Sequence, residues 1–109
     1  MSEHSSPLRS AFADDAEFAE LIHLFVEELP ERIATIDQAV ASRDLSRLLV
    51  VAHQLKGAGG GYGFSEITDA SRTLEQLAQK TDLTLEDDLD RLSAAANEVI
   101  DLCQRATAD

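Results

Sequence analysis

Asp44-Leu45-Ser46-Arg47-Leu48-Leu49-Val50-Val51-Ala52-His53-Gln54-Leu55-Lys56-Gly57, followed by Ala58-Gly59-Gly60-Gly61-Tyr62-Gly63, is the stretch that decides how this chain folds. Asp44 has the short acceptor side chain of a helix N-cap. After it, apolar residues return at helical steps: Leu45, Leu48, Ala52 and Leu55, with Gly59 and Tyr62 in phase if the helix runs that far. At about 100° per residue, with His53 at zero, Leu55 lies near about 200°, Leu48 about −140°, Gly59 about −120° and Ala52 about −100°. The core stripe therefore points away from His53, which is expected to be exposed in mid-helix. Ser46, Leu49, Val50, Lys56, Gly57 and Gly60 share its face.

The same spacing extends outward in both directions. Upstream, Phe18, Ile22, Phe25, Leu29, Ile33, Ile36 and Val40 recur at steps of four and three. The phase passes straight through Pro30, and Leu29 is a poor N-cap, so one long helix over about 15–42 is predicted, kinked or frayed at the proline. Downstream, Ser65 is expected to cap a third helix with Ile67, Ala70, Leu74, Leu77 and Ala78 inward. Thr84 and Asp87 resemble a capping box for a fourth, which would bury Leu85, Leu89, Leu92, Ala96, Val99 and Cys103. No segment alternates with period two, so no strand is predicted. Four amphipathic helices with short connections imply an all-α fold, an antiparallel four-helix bundle over residues 11–107. A short extra helical turn around 8–13 would lay Phe12 over one end, and the polar residues 1–10 read as a disordered lead-in.

Composition narrows the function. The chain has 109 residues, enough for one core. A formal charge of −12, with only two lysines and seven arginines, excludes nucleic acid as a partner and favours a soluble protein partner. The apolar run Leu48 to Ala52 is far too short for a membrane span. A single cysteine, Cys103, permits no internal disulfide and fits a reducing, cytoplasmic setting. It has no helper nearby in sequence and reads as core. His4, His23 and His53 are scattered, and Glu20, His23 and Glu27 read as a solvated helix face, so no metal site is predicted. Lys56 precedes the glycines, where a P-loop lysine would follow them, and no window fits Gly-x-Gly-x-x-Gly.

The chemistry converges on His53. All five glycines lie between 57 and 63, and none of the 21 acidic residues lies between Leu45 and Ser65. A histidine, a lysine one turn on and bare backbone beyond it would suit an imidazole that a bulky partner must reach. The absence of carboxylates suits an anion. Neutral imidazole is a nucleophile near pH 7, and Lys56 at i+3 is placed to offset phosphoryl charge. Gly57 lies well before any expected helix end, where glycine weakens the helix by about 1 kcal/mol; close approach of another molecule is the natural reason for it. No general base lies near His53 in sequence, so activation is expected mostly from the partner.

The run Ala52-His53-Gln54-Leu55-Lys56-Gly57, with Gly63 ten residues after the histidine, resembles the histidine-containing phosphotransfer (HPt) domain, whose pattern is His-x-x-Lys-Gly, small residues, then Gly. The segment from Phe25 to Ile36, with its Phe-x-x-Glu-Leu-Pro wording, is similar as well. The resemblance implies a four-helix bundle with the phosphoacceptor, His53, on the second helix. It implies uptake of a phosphoryl group from a response-regulator receiver aspartate and transfer to another, with Lys56 in support. Leu49, Val50, Gln54, Gly57 and Gly60 would form the docking face. It implies a carrier with no kinase activity, ATP site or cofactor of its own, the Mg²⁺ belonging to the receiver. Receivers, including one on a hybrid sensor histidine kinase, are the expected partners of a monomeric chain. The alternative is a helical module that docks a partner without transfer. The three consecutive glycines 59–61 depart from the usual Ala or Ser and predict a loose helix end.

Overall fold

A computed structural model of the chain describes residues 6–109. Its helices are α1 (Ala19–Ser42), α2 (Leu45–Gly61), α3 (Ser65–Lys80) and α4 (Glu86–Arg105). The connections between them are two to five residues long, which forces each helix to run antiparallel to the last. α2 packs against α1 and α3, and α4 closes the bundle against both. Ile22, Leu29, Ile36, Leu48, Leu55, Ile67, Leu74 and Val99 are almost wholly buried at its centre.

The helix ends follow local chemistry. Asp44 caps α2, its Oδ1 accepting from Arg47 N–H at 3.1 Å. Arg43, just before it, adopts the left-handed conformation that terminates α1. α1 continues through the exposed Pro30. It starts at Ala19, later than the predicted 15, because Asp15 is spent on a turn: its Oδ1 accepts from Glu17 N–H and its carbonyl from Phe18 N–H, both at 3.0 Å.

Two predicted caps are corrected. Ser65 is the first residue of α3, and its hydroxyl bonds to Glu66 rather than to the backbone. At α4 there is no Thr84–Asp87 capping box. Asp82 instead accepts from both the N–H and the hydroxyl of Thr84, at 2.9 and 2.6 Å, and Asp88 reaches back to Asp82 N–H at 2.9 Å. That turn leaves Leu85, expected in the core, half exposed.

The expectation of no strand is also corrected. β1 (Leu8–Arg9) and β2 (Ala106–Thr107) pair in parallel, tying the two ends of the described chain together. Two residues are too few to show an alternating pattern. Leu8 and Ser10 are buried, so the lead-in expected over 1–10 does not extend to these residues; residues 1–5 lie outside the described ones. Residues 11–14 form turns rather than a helix. Phe12 nevertheless packs on Phe18, with ring centroids 4.7 Å apart.

This N-terminal segment clasps the end of α2. Ser10 Oγ donates to the Tyr62 carbonyl at 2.6 Å, and Ala11 N–H donates to the Gly63 carbonyl at 2.8 Å. Gly63 has φ +87°, and a Cβ there would collide with Ser10 Oγ, so glycine is required on both counts. Tyr62 stacks on Phe25 at 4.9 Å, and Phe25 on Phe64 at 5.6 Å. The glycine-rich end is thus held from outside.

Candidate functional site

α2 remains helical through Gly57 and Gly59-Gly60-Gly61 as far as Gly61. Intrinsic propensity disfavours this, and α3 supplies the missing support. A Cβ on Gly59 would stand 2.8 Å from Thr68 Oγ1, 3.0 Å from Thr68 N and 3.1 Å from the Phe64 carbonyl. Glycine at 59 is therefore what allows the two helices to approach. The Thr68 hydroxyl accepts from Gly60 N–H at 2.7 Å and donates to the Lys56 carbonyl at 2.8 Å. It bridges the two groups that an i→i−4 bond would pair.

Two turns along α3 from Thr68 stands Glu75, on the same stripe. Its Oε2 lies 2.9 Å from His53 Nδ1, and its Oε1 accepts from Lys56 Nζ at 2.6 Å. One carboxylate thus holds both side chains of the His-x-x-Lys pair. The Glu75 side chain is 13% exposed, Lys56 29% and His53 70%. The bond from Lys56 first, and that from His53 second, hold the Glu75 carboxyl below its ordinary range.

Ionised Glu75 can only accept, so Nδ1 must carry the proton in this contact. That fixes the tautomer and leaves the lone pair on Nε2, which meets no protein partner among the described residues. The arrangement is an oriented, outward-facing nucleophile. It corrects one sequence expectation. The site is not free of carboxylates, because the acid-free window in sequence is crossed by an acid from another helix. Beside the activation expected mostly from the partner, Glu75 adds an orienting contact within the chain. Glu75 lies 22 residues from His53 and gave no local signal; its place beside Leu74, at the edge of the apolar stripe of α3, was the only hint.

The remaining residues divide by helix rotation. Val50 is 57% exposed, and Gln54 and Gly57 are exposed. A Cβ on Gly57 would meet nothing within 4 Å. Leu49 differs: it is half-buried and packs against the core on the α3 side, so it is not a purely surface contact. Gly60 is exposed yet lies close to Thr68, where a Cβ would sit 3.4 Å from its hydroxyl. Leu49, Val50, His53, Gln54, Glu75 and Gln79 line a shallow depression of about 430 Å³. On the far side of Gln54, the guanidinium of Arg32 from α1 donates to Gln54 Oε1 at 2.7 Å.

A family model described as Hpt domain matches residues 20–108. The chain belongs to the Hpt domain family. Hpt domains are phosphocarrier modules of two-component systems rather than kinases, and they interact with response-regulator receivers. Neither a curated protein nor a solved structure matches the chain significantly. The match begins at the second residue of α1 and takes in α2, α3 and α4 whole.

Among the described residues, no group of three or more His, Cys, Asp and Glu could hold a metal ion. His23 Nε2 pairs with Glu27 across one turn at 3.0 Å. Cys103 is buried, and burial pushes its thiol up to about 12. Among the described residues, no helix is long and apolar enough to cross a membrane.

Proposed function

We propose that this Hpt domain is a phosphorelay intermediate in which His53 takes a phosphoryl group from a receiver aspartate and passes it to another. The observation that carries the reading is the pairing of His53 Nδ1 with Glu75 on an imidazole that is otherwise open to solvent. In the transfer step the Nε2 lone pair attacks phosphorus. The P–O bond to the receiver aspartate breaks, and the carboxylate leaves with its electron pair. Positive charge that develops on the ring faces Glu75, which stabilises it through Nδ1–H. Return transfer reverses these bonds: aspartate attacks, the N–P bond breaks and neutral imidazole leaves.

Lys56, shared with Glu75, lies one turn from the phosphoryl group and can donate to its oxygens. Val50, Gln54 and Gly57 form the docking floor, with Leu49 and Gly60 at its α3 edge. The Mg²⁺ that assists transfer is the receiver's. On this reading the chain works as a cytoplasmic monomer, and a receiver on a hybrid sensor histidine kinase is one source of the group.

The test is incubation with a panel of phosphorylated receivers and detection of label on this chain. Label should appear, be lost in mild acid and survive base, as a phosphoramidate does. His53→Gln should abolish it without changing the fold. Label that persists in that variant, or that survives acid and is lost in base, would overturn the assignment. Binding to receivers with no label on the wild type would favour a docking module without transfer.

A further inference from the structure

The balance of charge around His53 singles out Arg32. Lys56 is neutralised by Glu75 at 2.6 Å, so the pair presents no net charge to an incoming anion. Arg32 is different. Glu28 stands four residues before it, the favourable i,i+4 arrangement for an ion pair on a helix. The guanidinium nevertheless turns to the neutral Gln54 Oε1 at 2.7 Å, and among the described residues no carboxylate lies within 4 Å of it. Gln54 follows His53 in sequence and belongs to two surfaces at once: the depression around His53 and the groove between α1 and α2 that Arg32 lines. Arg32 is only half exposed, so packing and this bond hold it in place. Glu28 lines the same groove without pairing with it, so in a chain of net charge −12 Arg32 is a positioned cation with no direct ion-pair partner among the described residues, at the edge of the nucleophile's face.

We propose that Arg32 is a specificity residue that engages the acidic, phosphoryl-bearing pocket of the incoming receiver on the α1 side of His53. The inference rests on the relay reading. Arg32 does not act on the reacting atoms. It draws the anionic pocket toward a protein whose overall charge repels it, and sets the side from which the pocket settles over Nε2. Such an effect belongs to encounter and docking, so it should fall on KM and on the association rate, leaving kcat unchanged. It should also fade with salt, because at 1 M the screening length shrinks to about 3 Å. A guanidinium that only braces Gln54 would show neither signature.

The experiment compares wild type, Arg32→Gln, Arg32→Lys and Arg91→Gln. Arg91 lies on α4, paired with Asp88, and controls for the change in net charge. The donor is a receiver domain phosphorylated with acetyl phosphate and chosen because the wild type discharges it. At low salt, Arg32→Gln should raise KM about three- to tenfold with kcat and melting temperature unchanged, and the gap should close at high salt. Arg32→Lys should recover most of the loss, and Arg91→Gln should match wild type. Phosphorylation of His53 by phosphoramidate, a small donor with no pocket to dock, should be equal in all four. Unchanged KM in Arg32→Gln, an equal effect in Arg91→Gln, or a loss that persists at high salt would overturn the inference. Failure of the wild type to take label from any receiver would instead overturn the relay reading.

Discussion

Gly57 and Gly59 are two residues apart on one helix, and they are glycine for opposite reasons. A side chain at 57 enters open space. Replacing Gly57 with Gln therefore gains helix propensity, about 0.5 kcal/mol, and disturbs no packing within the domain. For a domain of this size that raises the melting temperature by about 2–4 °C. If a receiver packs on the bare backbone, the new side chain must clash with it; overpacking costs about 1–3 kcal/mol, roughly a five- to 150-fold weaker docking step. At Gly59 the gain in propensity meets Thr68 N at 3.0 Å and the Phe64 carbonyl at 3.1 Å. Both are backbone and cannot swing aside, so Gly59→Ala should lose about 1–2 kcal/mol net. The assay is thermal unfolding beside a receiver-transfer time course for both variants. Gly57→Gln should melt higher and transfer more slowly; Gly59→Ala should melt lower. If Gly57→Gln lowered the melting temperature, or transferred at the wild-type rate, position 57 would not be an open docking floor.

Further outcomes follow from the same geometry. Gly63→Ala combines a left-handed φ of +87° with a collision against Ser10 and should cost about 2 kcal/mol or more, read as a lower urea midpoint. Leu49→Ser should lower stability as well as docking because Leu49 packs on the core, whereas Val50→Ser, at a 57% exposed position, should weaken docking alone; unfolding curves beside receiver-binding isotherms separate the two. Glu75 has a depressed folded pKa, so its contribution is present above the ordinary carboxylate pKa, about 4.3, and is lost as pH falls through the lower folded value. A stability–pH curve should show Glu75→Gln lacking that acid-side loss. Cys103, raised to about 12 by burial, should resist thiol reagents at pH 8 until the chain is unfolded.

The parts of this fold that were legible in sequence are those that one helix determines alone. The phase of Leu48, Ala52 and Leu55 fixes the inward face of α2, and that suffices to turn His53 outward. Asp44 reads as a cap because the cap is a three-residue event. What failed needed contact across elements. Ser65 and Thr84 have the right chemistry for caps, but Phe64 takes the cap position before Ser65, whose hydroxyl turns to Glu66, and Asp82 holds the turn at Thr84. β1 and β2 are nearly a hundred residues apart, and each is too short to carry a pattern. Glu75 belongs to the same class. An acid-free window along the chain says nothing about what the next helix places beside it.

That missed carboxylate changes the physical character of the site. On the proposed relay reading, Lys56 alone would leave a standing cation one turn from His53, favouring a bound phosphoryl dianion in every state of the transfer. Binding that is equal in ground and transition states does not speed the chemical step, and in a carrier it would also hold back the group to be passed on. Glu75 offsets that charge at 2.6 Å while bonding to Nδ1 at 2.9 Å. On that reading its second bond would strengthen as positive charge develops on the imidazole during attack, and relax when the neutral ring leaves. On the proposed relay reading, the same two contacts would lower the affinity of the resting site for phosphate and favour the transition state in both directions. α3 imposes this from one stripe, with Thr68 fixing the Lys56 carbonyl and Glu75 fixing its ammonium. The glycines of α2 can serve partner access because α3, rather than the local propensity of α2, keeps His53 and Lys56 in register.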